Sequence, residues 1–161
     1  MDHLWSPWRF GYVTKSIPIS ECPLCDMSVM ADEEHWVVHR GEHCFVVLNR
    51  FPYAPGHLMI APKSHLAMLA DCSPATLHEL MELAQQAEAH LRAEYQCPGL
   101  NMGFNLGACA GAGIPGHLHF HVVPRWPGDV NFMTAIGETR TLPEDLRTTW
   151  MRLRKRWSVG V

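Results

Sequence analysis

The chain has 161 residues, 47% apolar and 18% charged, and a formal charge of −3 at pH 7 with neutral histidines. That length suits one compact domain, and the composition excludes a disordered chain. The mildly acidic balance gives no electrostatic basis for binding nucleic acid or an anionic membrane, and no apolar run approaches a membrane span.

Residues 1–20 combine Trp5, Trp8, Phe10 and Tyr12 with prolines and serines and show no clear period. This aromatic arm is expected to pack on the domain or a second subunit, or to stack on a flat ligand such as a purine. It has no basic segment followed by an apolar one, so a cytoplasmic protein with reduced thiols is expected. Of the six cysteines, Cys22 and Cys25 form Cys-Pro-Leu-Cys, half of a tetrahedral zinc site or else an unmetallated thiol pair. The other cysteines read as small core hydrophobes.

Trp36-Val37-Val38 and residues 44–48 read as two strands joined by a hairpin at Arg40-Gly41-Glu42, and residues 57–62 as a third. Between them, residues 49–56 are rich in turn formers. Ser73 as N-cap and Pro74 at the first turn open a long helix. Its apolar stripe is predicted at Leu77, Leu80, Met81, Ala84, Ala87 and Leu91, with Glu79, Glu82, Gln85, Gln86 and Glu88 on the wet side. His78 and His90 are placed on its surface. Pro98-Gly99 stops it, and residues 100–106 read as a fourth strand.

A small-residue loop, residues 107–116, then leads into Gly116-His117-Leu118-His119-Phe120-His121-Val122-Val123-Pro124-Arg125. Three histidines alternating with apolar residues predict a strand with one polar and one buried face. Along a flat strand His117 and His121 would lie about 13 Å apart, so the central His119 is the expected chemical centre. Neutral imidazole needs no deprotonation at pH 7 to attack phosphorus, and the attack divides one displacement into two. Gly107, Gly111, Gly113 and Gly116 let backbone N–H groups approach a phosphate. Trp126-Pro127-Gly128-Asp129 ends the strand. Leu146, Trp150, Leu153 and Trp157 mark the inner face of a C-terminal helix within residues 140–161, and Arg152, Arg154, Lys155 and Arg156 its solvated basic end. These elements predict a single α+β domain spanning residues 1–161, with an antiparallel sheet of about five strands.

His117-Leu118-His119-Phe120-His121-Val122-Val123 resembles the signature of the histidine-triad family of nucleotide hydrolases and transferases. Asn49 with Pro55-Gly56-His57-Leu58, Pro62-Lys63-Ser64-His65 and Asn105-Leu106-Gly107 resemble further family motifs in family order. Leu4-Trp5-Ser6-Pro7-Trp8-Arg9 and Gly113-Ile114-Pro115-Gly116 are similar to the bacterial diadenosine tetraphosphate phosphorylase-like branch.

The resemblance implies catalysis by His117, His119 and His121, with His119 the nucleophile on the α-phosphorus and His121 on phosphate oxygens or the leaving group. Asn105 would hold phosphate and Asn49 would lie near the ribose. The implied substrate is a purine dinucleoside polyphosphate, cleaved by a phosphorylase or hydrolase that forms a homodimer and uses no organic cofactor. The rival readings are a nucleoside phosphoramidate or adenylate-conjugate hydrolase and a nucleotide-binding regulatory module. Gly113 and Ile114 replace the Gln and Ser or Thr of many members, which removes side-chain help to the leaving group. Zinc-bearing relatives imply structural zinc on Cys22, Cys25, His65 and His117, with His39 and His43 as alternative ligands.

Overall fold

In the computed structural model, which describes residues 21–129 and 143–159, the strands form one antiparallel sheet ordered β1-β2-β3-β5-β4. They are β1 (Val37–Arg40), β2 (Cys44–Leu48), β3 (Leu58–Pro62), β4 (Gly99–Phe104) and β5 (Phe120–Arg125). Helices α1 (Pro23–Val29) and α2 (Asp32–His35) precede the sheet; α3 (Pro74–Tyr95) and α4 (Leu146–Val159) cover one face. The predicted aromatic arm over residues 1–20 lies outside the described residues, as do residues 140–142, 160 and 161 of the predicted C-terminal segment.

The two faces of the sheet carry separate cores. Val46, Leu48, Leu58, Ile60, Phe120 and Val122 pack against Leu80, Leu83, Ala84, Ala87 and Leu91 of α3 and Trp150 and Leu153 of α4. On the opposite face Phe45, Val47, Met59 and Ala61 pack against Cys22 and Leu24, with Ile114 at the margin. Alternation along β5 sends Phe120 and Val122 to the helical side and His121 to the other, paired in register with Met59 of β3 and Gly103 of β4.

Helix α3 begins as predicted, with the Ser73 hydroxyl accepting the Thr76 N–H at 3.1 Å. Its buried stripe is rotated from the predicted one, however. Leu83 and His90 face inward while Met81 is 56% exposed. Glu79, expected in solvent, accepts hydrogen bonds from the backbone N–H groups of Glu42, His43 and Cys44. One carboxylate thereby ties the β1–β2 hairpin to α3, a long-range pairing that helical period does not reveal.

His90 is 3% exposed, 4.4 Å from the Trp157 ring, which also stacks on His39 at 6.1 Å. The basic cluster of α4 is spread over carboxylates: Arg154 pairs with Asp32, Arg156 with Glu94, and Arg152 with Glu144. Arg154 and the Trp150 indole N–H, both on the Val37 carbonyl at 3.2 and 2.8 Å, hold α4 across β1, and Arg156 ties it to α3.

Burial holds the His39 and His90 pKa values below the usual 6.5, with Arg156 and His39 adding to the shift at His90. The unfolded chain therefore takes up protons as pH falls through 6.5 while the folded chain resists them. Stability is expected to be complete above about pH 7 and to fall as pH drops below 6.5. Urea denaturation across that range should show a shallower decline in His90→Phe than in the native chain.

Candidate active site and metal centre

The chain reaches β5 through a stretch that is not a strand. Regular pairing begins at Phe120, so His117, in a bend with its N–H on the Ile114 carbonyl, and His119 stand outside the ladder, and the predicted strand over all three histidines is shorter at its start. The Leu118 N–H is used by the Leu66 carbonyl at 2.6 Å. Nor is one face polar: His117, Leu118, His119, Phe120 and His121 are all buried, His117 against Cys22 and Cys25 and His121 against His57, Tyr53 and His119.

Departure from the ladder leaves backbone carbonyls free to accept from imidazoles. The His117 Nε2 lies 2.9 Å from the Pro62 carbonyl, which can only accept. His117 therefore carries its proton on Nε2 and presents an Nδ1 lone pair to Cys22 Sγ at 3.2 Å. The same logic applies two residues on. His119 Nδ1 lies 2.7 Å from the His117 carbonyl, so the proton is on Nδ1 and the lone pair on Nε2. One residue thus serves two neighbours, by its ring toward the thiols and by its peptide toward His119.

Around His121 the partners are other rings. Its Nδ1 is 2.9 Å from His57 Nε2, and the His119 and His121 centroids are 4.9 Å apart. His121 Nε2 is buried with no hydrogen-bond partner among the described residues, a state that costs about 1–3 kcal/mol for an unmade bond. Burial, and then the His119 ring, push the His121 pKa down to about 4. His121 is therefore neutral at pH 7.

His121 also lines an open cleft of about 830 Å³ with Tyr53, Tyr95, Asn101, Asn105 and Arg125. Gly103 is its register partner, and a Cβ there would meet nothing within 4 Å, so this side of His121 is sterically clear. His119, 6% exposed, does not line the cleft.

Cys22, Cys25, His65 and His117 come together with donor atoms all within 4.8 Å of one another. A tetrahedral ion with metal–sulfur bonds of about 2.3 Å and metal–nitrogen bonds of about 2.0 Å separates S from N by about 3.5 Å. The S–N separations are 3.2 Å (Cys22–His117), 3.3 Å (Cys25–His65) and 3.5 Å (Cys25–His117), so the donor set fits a closed metal site. Partial burial and the hydrogen bond and charge of Cys22 raise the Cys25 pKa to about 11. A bound cation would displace that thiol proton. His39 and His43, the alternative ligands, are outside this cluster.

The structure gathers the triad, the metal donors and, through the cleft, Asn105. It places the loop glycines differently from the compact cradle the sequence suggested. Gly107, Gly111 and Gly113 are exposed, and a Cβ on any of them would meet nothing within 4 Å. Only Gly107 and Gly111 have left-handed φ, +84° and +87°. Gly116 lies against His65, 3.7 Å from its Nε2. The Asn49 side chain faces inward: Oδ1 accepts the Phe51 N–H at 2.9 Å, and Nδ2 is 3.4 Å from His57 Nδ1. His57, fully buried, was visible in sequence only as part of a motif, and its ring contact with His121 had no signal in spacing.

Residues 31–128 match the HIT domain family model. The AP-4-A phosphorylase of Mycobacterium tuberculosis is 39% identical over 98% of this chain and 85% of that protein. An asymmetrical bis(5'-nucleosyl)-tetraphosphatase of Schizosaccharomyces pombe is 27% identical over 58% of this chain and 50% of its own length. The crystal structure of a zinc-bound histidine triad family protein from Mycobacterium smegmatis superposes with a TM-score of 0.68 at 26% identity, covering 84% of this chain and 91% of that one.

Cobalt(II) added to the reduced protein is expected to produce thiolate charge-transfer absorption and tetrahedral d–d bands. Both should be missing from a Cys22→Ser, Cys25→Ser variant in the absorption spectrum.

Proposed function

The chain belongs to the histidine-triad (HIT) family, and from that premise we propose that it cleaves dinucleoside polyphosphates such as diadenosine tetraphosphate through a nucleotidyl-His119 intermediate. The observation that carries the reading is the His119 tautomer, with Nδ1–H committed to the His117 carbonyl and a lone pair on Nε2. That lone pair attacks the α-phosphorus. The Nε2–P bond forms as the bond to the departing nucleoside triphosphate breaks, and the electron pair leaves on its terminal oxygen.

Charge gathers on the phosphoryl oxygens during both displacements, and fixed donors lower that barrier. His121 Nε2–H is such a donor, and Asn105 adds an amide from the cleft wall. Backbone N–H groups of the exposed Gly107 and Gly113 supply others when the polyphosphate lies along the loop. In the second step an acceptor oxygen attacks phosphorus and His119 leaves with its lone pair restored. The relative from Mycobacterium tuberculosis, matched over almost the whole chain, supports inorganic phosphate as acceptor, which gives ADP and ATP.

Zinc is the ion we assign to Cys22, Cys25, His65 and His117. Four protein donors close the coordination shell, so its contribution is structural. The protein acts as a cytoplasmic homodimer in this reading. Strand β4 is a sheet edge, paired only with β5 among the described residues, and exposes Met102 with Leu106 close by. Antiparallel pairing of two β4 edges would cover that surface.

Diadenosine tetraphosphate incubated with the protein should yield ADP and ATP when phosphate is present; AMP and ATP irrespective of phosphate would instead mark a hydrolase. His119→Ala is expected to abolish both, with an unchanged circular dichroism spectrum, and to trap no nucleotide on quenching in alkaline denaturant, where a phosphorus–nitrogen bond to histidine survives. Sedimentation equilibrium should return twice the 18.2 kDa chain mass.

A further inference from the structure

The buried ring of His57 has a proton position that the backbone dictates. The Tyr53 N–H lies 3.1 Å from His57 Nδ1, and a peptide N–H can only donate. The Asn49 amide nitrogen, oriented by the Phe51 N–H on its Oδ1, approaches the same Nδ1 at 3.4 Å. Nδ1 therefore holds a lone pair and the proton of His57 sits on Nε2. That proton points at His121 Nδ1, 2.9 Å away. His121 must then accept on Nδ1 and carry its own proton on Nε2, the buried atom without a partner.

We infer that His57 is a positioning residue which, through a backbone-anchored chain Tyr53 N–H to His57 to His121, holds His121 in the Nε2–H tautomer as a donor to the phosphoryl group. Without that chain His121 could place its proton on Nδ1 and turn an Nε2 lone pair toward the phosphate oxygens, where two acceptors would repel. Ring packing keeps the chain aligned: Tyr53 lies 4.5 Å from His57 and 5.9 Å from His121, centroid to centroid. The role given to His121 rests on the nucleotidyl-transfer reading above; the tautomer itself does not.

The test combines imidazole ¹⁵N spectroscopy with kinetics on native protein, His57→Phe and His57→Gln. In the native chain His121 should show protonated Nε2 and unprotonated Nδ1 at pH 7. His57→Phe removes the donor and should give His121 a mixed or Nδ1–H tautomer, with kcat on diadenosine tetraphosphate lower by about 10- to 100-fold and KM little changed. His57→Gln, whose amide can still donate at the Nε2 position, should recover part of both. A His121 that stays in the Nε2–H form in a folded His57→Phe protein overturns the inference, as does a kcat equal to native. A native protein that shows the tautomer but no nucleotidyl transfer would overturn the catalytic use of the donor and the proposed function, while leaving the hydrogen-bond chain standing.

Discussion

The site depends on one constraint: backbone groups, which cannot reverse donor and acceptor, fix where each imidazole proton sits. The Pro62 carbonyl sets His117, the His117 carbonyl sets His119, and the Tyr53 N–H sets His57 and through it His121. A lone pair on His119 Nε2 then stands beside an N–H on His121, with rings 4.9 Å apart. The proposed nucleotidyl transfer needs a nucleophile next to a donor, and among the described residues the proton positions of this pair are set by peptide groups and the His57 ring. The late start of β5 makes this available. Had residues 117–119 continued the ladder with β3, the His117 carbonyl would face another strand's N–H, and His119 would have no fixed proton position.

Burial reinforces the same arrangement. Desolvation lowers the pKa of both His117 and His121, the latter to about 4, and so favours neutral rings. A neutral His121 offers one proton and one lone pair, both assigned, and a neutral His117 leaves Nδ1 for the thiol pair. Each neutral ring has a single way of satisfying its neighbours. That uniqueness would be lost if either were an imidazolium with two protons.

Much of this was legible in the sequence, though not its geometry. The Ser73-Pro74 helix start stands where local pattern put it, whereas of the three histidines only His121 lies in the strand. Strand alternation predicted one polar and one buried face, but the imidazoles are buried by partners distant in sequence, Cys22 at His117, and His57 and Tyr53 at His121. Spacing along a flat strand could not show that His117 joins cysteines 92 and 95 residues earlier. Glu79 and His90 were misplaced for the same reason. Helical period says which residues share a face, whereas the hairpin N–H groups and the Trp157 ring that claim these two come from elsewhere in the fold.

The double use of His117 links the metal centre to the chemistry without putting a cation on the substrate. Its ring belongs to the cluster that could hold a metal ion and its carbonyl accepts from His119 Nδ1, so whatever orders the ring also orders the peptide that fixes the His119 proton. With no ion, two thiols, one of them held protonated by a pKa near 11, must share the His117 Nδ1 lone pair. A closed four-donor ion replaces those competing hydrogen bonds with coordination of one geometry. Rigidity gained at His117 on metal binding would pass to His119 through a 2.7 Å hydrogen bond, a structural use for an ion at a site whose four protein donors leave no open position.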